Sequence, residues 1–94
     1  MNIGKAIETI RKDKGVSQRE LAEQISISAN ALVNIEKGRS FPKKENILAI
    51  CNALEISEAY LLLSCLEEED IPEEKRILFR TMVVPLRNEL KEDF

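Results

Sequence analysis

The sequence predicts an all-α protein: a five-helix domain over residues 1–66, then an acidic linker and a helical tail over residues 67–94. Three observations lead there. Only three Gly and three Pro occur in 94 residues, with 4% aromatics, which is too few turn-formers and rings for a many-stranded sandwich or barrel. Apolar residues recur at three- and four-residue steps, the period of a helix with one buried stripe. Serines stand just before three of these segments, where a hydroxyl caps a helix.

Ile3, Ile7 and Ile10 form the stripe of the first helix, and Gly15 suits its left-handed stop. Ser17 opens the second. Glu20 lies three residues on, the capping-box spacing, with Val16 as the hydrophobic staple and Leu21, Ala22 and Ile25 on the inner side. Ser26-Ile27-Ser28 breaks the period, and Ser28 caps a third helix. Its inner face carries Leu32 and Ile35, its outer face Ala29, Asn30, Val33 and Asn34, and Gly38 ends it. Arg39-Ser40-Phe41-Pro42 reads as a loop, because proline disfavours helical geometry at the residue before it. A fourth helix spans Lys44 to Leu54 with Ile47, Ile50, Cys51 and Leu54 inward, and Ser57 caps a short fifth containing Tyr60, Leu61 and Leu62.

Asp70 and Glu73 repeat the capping-box spacing, with Pro72 in the first turn of a tail helix that runs to about Lys91. Leu78, Met82, Leu86 and Leu90 follow at four-residue steps, flanked by Phe79 and Val83. Pro85 interrupts them, so a kink or two short helices meeting near Val84-Pro85 is expected. The stripe is a candidate dimerisation face, the alternative being that the tail folds back and covers its own domain, and the tail is also a candidate surface for another protein partner.

Two Cys and no His exclude the common Cys/His zinc frameworks and any His-based triad. No carboxylate pair, thiol–base pair or phosphate loop stands at a workable spacing, so neither an enzyme nor a cofactor or metal is expected. Cys51 and Cys65 read as apolar filler in a reducing compartment. No signal-like start and no run approaching the ~18 apolar residues of a membrane span is seen, so a cytoplasmic location is expected.

The net charge is −3, unevenly spread. Residues 1–63 carry nine Lys/Arg against eight Asp/Glu, residues 64–94 five against nine. Lys37, Arg39, Lys43 and Lys44 cluster with no acidic residue between Glu36 and Glu45. A near-neutral domain with one basic edge can hold a phosphate backbone, because the local field decides.

Residues 17–38 form the informative unit: capped helix, tight turn, capped helix, glycine. A helix about 10–12 Å across fits a major groove about 12 Å wide. The outer face of the third helix shows small and amide side chains where a solvated helix shows Glu and Lys. Asn can make paired hydrogen bonds to adenine, and an aliphatic group can touch a thymine methyl.

This arrangement resembles the phage repressor and Cro-like helix-turn-helix family, also called XRE-type, from Ile3 to about Leu62. The match rests on Ile3, Gly4, Ile7, Ile10, Arg11, Gly15, Val16, Ser17, Gln18, Glu20, Leu21 and Ala22. It continues through Ile27, Ser28, Leu32, Ile35, Glu36, Gly38, Arg39 and Pro42, then Ile47, Ile50, Cys51, Ala53, Leu54, Ile56, Ser57, Leu61 and Leu62. The resemblance implies a five-helix fold and sequence-specific binding of double-stranded DNA by a homodimer that controls transcription. It implies base reading by Ala29, Asn30, Val33 and Asn34. Phosphate contacts would come from Ser17, Gln18, Ser28, Lys37, Arg39, Ser40 and Lys43, and a salt bridge would join Arg11 to Glu36.

Three departures stand out. Ser26 occupies a turn position that is commonly Gly, Val33 one that is usually polar, and Ala29 has no donor. Two amides are left for directional base contacts, which implies modest specificity leaning to A·T. An antitoxin-like or accessory protein-interaction module on the same fold is the competing expectation.

Overall fold

The computed structural model describes residues 1–92. Asp93 and Phe94, the end of the 67–94 tail, lie outside the described residues. α1 (Ile3–Asp13) starts at Asn2, whose side chain accepts from the Lys5 amide at 3.0 Å. Gly15, at φ 71°, reverses the chain into α2 (Gln18–Gln24). The capping box at Ser17 is complete: its hydroxyl accepts from the Glu20 amide at 3.0 Å, and its own amide donates to the Glu20 carboxylate at 3.4 Å.

The turn into α3 (Ala29–Glu36) passes through Ser26 at φ 60°, so a serine holds the left-handed position at some conformational cost. α4 (Lys44–Leu54) stops at Glu55, also left-handed at φ 55°. α5 (Glu58–Cys65) is capped by Ser57, which accepts from the Tyr60 amide at 3.0 Å.

The five helices enclose one core centred on Ile7, Leu21, Leu32, Ile50, Leu54 and Leu61. Burial of each such side chain contributes about 1.5–3 kcal/mol. The tightest approach is between α1 and the end of α3. A methyl group on Gly4 would lie 2.2 Å from the Ile35 carbonyl oxygen and 2.8 Å from that of Glu36, so only a glycine lets the backbones meet. No single helix among the described residues is long and apolar enough to cross a membrane.

The tail differs from the sequence reading at its start. The Asp70 carboxylate accepts from the Glu67 amide and the Asp70 amide donates to the Glu67 carbonyl at 2.9 Å around a 3₁₀ turn (Glu68–Asp70), so Asp70 turns back to Glu67 and does not pair with Glu73. The Asp70 carboxylate is occupied by the Glu67 amide at 2.8 Å and the chain's α-ammonium at 2.6 Å, so it cannot cap a helix downstream. Pro72 then precedes a second 3₁₀ turn (Glu73–Lys75) instead of lying within the first turn of a helix.

α6 (Arg76–Leu78) is a single turn that widens into a π-helical turn (Phe79–Val83) and continues as α7 (Val84–Leu90), with Pro85 in its first turn. Pro85 has no N–H for the carbonyl four residues back, and its ring would clash there. The wide turn before it relieves that clash without a break in the helix.

α7 packs on α5. Phe79 is buried, and Leu90 packs partly buried against the domain core. Leu90 therefore leaves the expected stripe, since the last turn of α7 closes on the domain and covers it. Leu78, Met82 and Leu86 remain exposed, together with Ile77. Between α1, α5 and α7 lies a groove of about 420 Å³, lined in part by Lys5, Asp13, Tyr60, Ser64 and Arg87.

Candidate nucleic-acid interface

α3 is anchored by Leu32 and Ile35, both buried, which turns the opposite side of the helix outward. Ala29 and Asn30 are exposed in its first turn, and Val33 and Asn34 are half-buried one turn later. Asn30 makes no side-chain hydrogen bond among the described residues. The Asn34 side-chain oxygen accepts from the Arg39 guanidinium at 3.5 Å, which leaves its NH₂ free to donate.

The positions expected at phosphates border this face. Ser17 and Ser28 each accept a backbone amide, from Glu20 and Ala31, both at 3.0 Å. Each hydroxyl proton remains available to a phosphate oxygen. Gln18 has a partner that sequence reasoning missed: its amide nitrogen donates to Glu36 Oε1 at 2.8 Å. The second N–H of that group is left for an outside acceptor.

Lys37, Arg39, Ser40 and Lys43 are exposed in and beside the α3–α4 loop. Lys43 is the N-cap residue of α4, and its side chain, a donor with nothing to offer the helix amides, is exposed. The loop is held to α3 because the Asn34 carbonyl accepts from the Arg39 amide at 2.8 Å and the Ser40 amide at 3.3 Å. Pro42 is buried and fixes the far end, while Phe41 beside it is exposed. Phe41 is read from the sequence as a loop residue and not as one of the site residues. The available signal was an aromatic placed before a proline inside a basic run.

Glu36 is the one carboxylate bordering this cluster on the α3 side, and it is consumed internally. Arg11 and Glu36 are buried, paired through Nε–Oε2 at 2.7 Å and Nη2–Oε1 at 3.1 Å. Arg11 Nη1 also donates to the Val16 carbonyl at 2.9 Å. One buried guanidinium thus joins α1, the start of α2 and the end of α3. Loss of either partner of such a pair costs about 3–5 kcal/mol, because the other is left charged in the interior. The result is a face of small and amide groups, bordered by cations with no carboxylate between Glu36 and Glu45 in the sequence.

The titration shifts lie elsewhere. Burial pushes the Cys51 thiol up to about 11 and raises that of Cys65 as well, so both stay protonated near neutrality.

Comparison with known proteins points the same way. A family model described as a helix-turn-helix domain matches residues 4–64. The transcriptional regulator ImmR of Bacillus subtilis is 34% identical over 62 residues, which cover 66% of this chain and 49% of that protein. The immunity repressor protein of Bacillus phage phi105 is 36% identical over 56 residues, 60% of this chain and 39% of that protein. The chain therefore spans less than half the length of either relative.

Two crystal structures of the clp gene regulator ClgR from Corynebacterium glutamicum are similar. One has a TM-score of 0.66 at 38% identity and covers 68% of this chain and 83% of that one. The other has a TM-score of 0.68 at 31% identity and covers 87% and 92%. With a domain match over residues 4–64 and repressor relatives aligned to it, the chain belongs to the phage repressor-like, XRE-type helix-turn-helix family.

Proposed function

We propose that this protein is a cytoplasmic, repressor-like transcriptional regulator that binds operator DNA as a homodimer, with α3 in the major groove. One observation carries the reading: the outer face of α3 offers Asn30 and Asn34 beside exposed Lys37, Arg39 and Lys43, with Glu36 withdrawn into a buried pair. Asn30 and Asn34 read base edges, Ala29 and Val33 allow close approach, and Ser17, Gln18, Ser28 and Ser40 join the cations at the backbone. The regulator and repressor relatives support a role in transcription.

The test is duplex binding across a salt series. Three cationic contacts per half-site, doubled, give a log–log slope of about −5. Binding that ignores salt, or no duplex binding at low salt, overturns the reading.

The exposed Ile77, Leu78, Met82 and Leu86 supply the dimer contact in this proposal. Two copies about a two-fold axis cover both faces at once and place two α3 helices about 34 Å apart, one turn of DNA. Sedimentation of wild type and Met82→Glu at micromolar concentration checks this. A monomeric wild type overturns the tail-mediated dimer and leaves the tail as a lid or an acidic appendage.

A further inference from the structure

Phe41 is the most exposed large hydrophobic side chain described, at 77%. Exposure of one apolar side chain by itself needs no explanation. What marks Phe41 is its surroundings. Arg39 stands two residues before it and Lys43 two after, with Lys37 and Lys44 beyond, all exposed. A larger exposed apolar group, Ile77, Leu78, Met82 and Leu86, belongs to the tail.

The backbone that carries the ring is held from both sides. Arg39 and Ser40 are hydrogen-bonded to the Asn34 carbonyl, one turn from the start of the reading face. Pro42 is buried on the other side and disfavours a helical backbone at Phe41.

We infer that Phe41 is a DNA contact, its ring packed on the deoxyribose edge between two phosphates held by Arg39 and Lys43. This rests on the DNA-binding reading of the same face. The chemistry follows from the alternation of the two backbones. Cations on either side of the ring attract consecutive phosphates, and the group between consecutive phosphates on a strand is a sugar, whose carbon edge is apolar. The ring covers that edge and removes water from the flanking charge contacts, which strengthens them. Such a contact is blind to sequence and adds affinity without release of counterions.

The experiment measures anisotropy of a labelled random-sequence duplex with full-length wild type, Phe41→Ala and Phe41→Leu across a KCl series. Phe41→Ala is expected to bind about tenfold more weakly per protomer in contact, with an unchanged salt slope. Phe41→Leu is expected to keep most of the affinity. Arg39→Ala, measured alongside, flattens the slope and so distinguishes a lost charge from a lost apolar contact. The inference is overturned if Phe41→Ala binds like wild type, or if its slope flattens as in Arg39→Ala. It is also overturned if Phe41→Ala changes only the sedimentation behaviour, which assigns the ring to a second copy, or if it lowers the melting temperature strongly, which assigns it to the fold. If wild type binds no duplex at low salt, the DNA reading fails and this contact with it. If wild type binds and Phe41→Ala matches it, this contact alone fails.

Discussion

Replacement of Gly4 by alanine sets two effects of opposite sign against each other. By intrinsic helix propensity, alanine within α1 should stabilise by about 1 kcal/mol. The structure sets a larger cost against that. The new methyl group would sit 2.2 Å from the Ile35 carbonyl oxygen and 2.8 Å from that of Glu36, both backbone atoms that cannot rotate aside. Ordinary contact begins near 3.4 Å, so α1 and the end of α3 must separate by roughly 1.2 Å. Overpacking of this kind costs about 1–3 kcal/mol and sometimes more. The same displacement acts on the residue that holds Arg11, whose 2.7 Å bond to Glu36 cannot stretch by that amount and survive. Partial loss of a buried pair adds to the cost, and the net expectation is about 3 kcal/mol of destabilisation. For a domain of this size that lowers the melting temperature by about 12–24 °C. Thermal melts followed by far-ultraviolet circular dichroism measure it. A melting temperature equal to or above wild type refutes the claim that backbone contact, and not helix propensity, governs this position.

Arg11→Met should cost about 3–5 kcal/mol in urea titrations, and adding Glu36→Leu should recover most of it, since the double variant buries no lone charge. Equal stability of the single and double variants refutes that. Asn30→Ala, at an exposed position, should lose about 1–3 kcal/mol on the operator and little on random DNA, while Arg39→Ala weakens both; gel-shift titration on the two duplexes separates them. Cys51 has its folded-state value raised from 9.0 to about 11 by burial. Its contribution is intact below pH 9 and lost as the unfolded thiol ionises first between pH 9 and 11. The difference between wild type and Cys51→Ala in urea midpoint should shrink over that interval, and a difference constant from pH 8 to 11 counts against it.

The helices were legible where their signals are local. Ser17 with Glu20, Ser28 and Ser57 announce three starts, because a cap needs only the next three residues. Ser26 was marked only through family resemblance, as a turn position that is commonly Gly, and Glu55 carries no signal at all and adopts the same left-handed region unannounced. The Arg11–Glu36 pair spans 25 residues and came only from family resemblance. Gln18 reaching Glu36, like the need for Gly4, depends on how α1, α2 and α3 meet, which no local pattern encodes. In the tail, Pro85 marked the place of the irregularity but not its form, and the Asp70 cap moved because a distant ammonium competes for the carboxylate. Leu90 shows the limit of a periodic stripe: spacing places a residue on a helix face, and docking decides what covers that face.

The wide turn at Phe79–Val83 acts as a phase adjuster between two pegs. Phe79 and Leu90 are the points where the tail is pinned inward, and the residues between them determine by how much the helix rotates from one to the other. An α-helix turns by about 100° per residue. A single insertion or deletion in this turn would therefore re-aim the outward side chains by roughly that angle while α1 to α5 stayed as they are. The outward face of the tail and the outward face of α3 can then change separately in this chain, one by gain or loss of a residue near position 81, the other by substitution on α3.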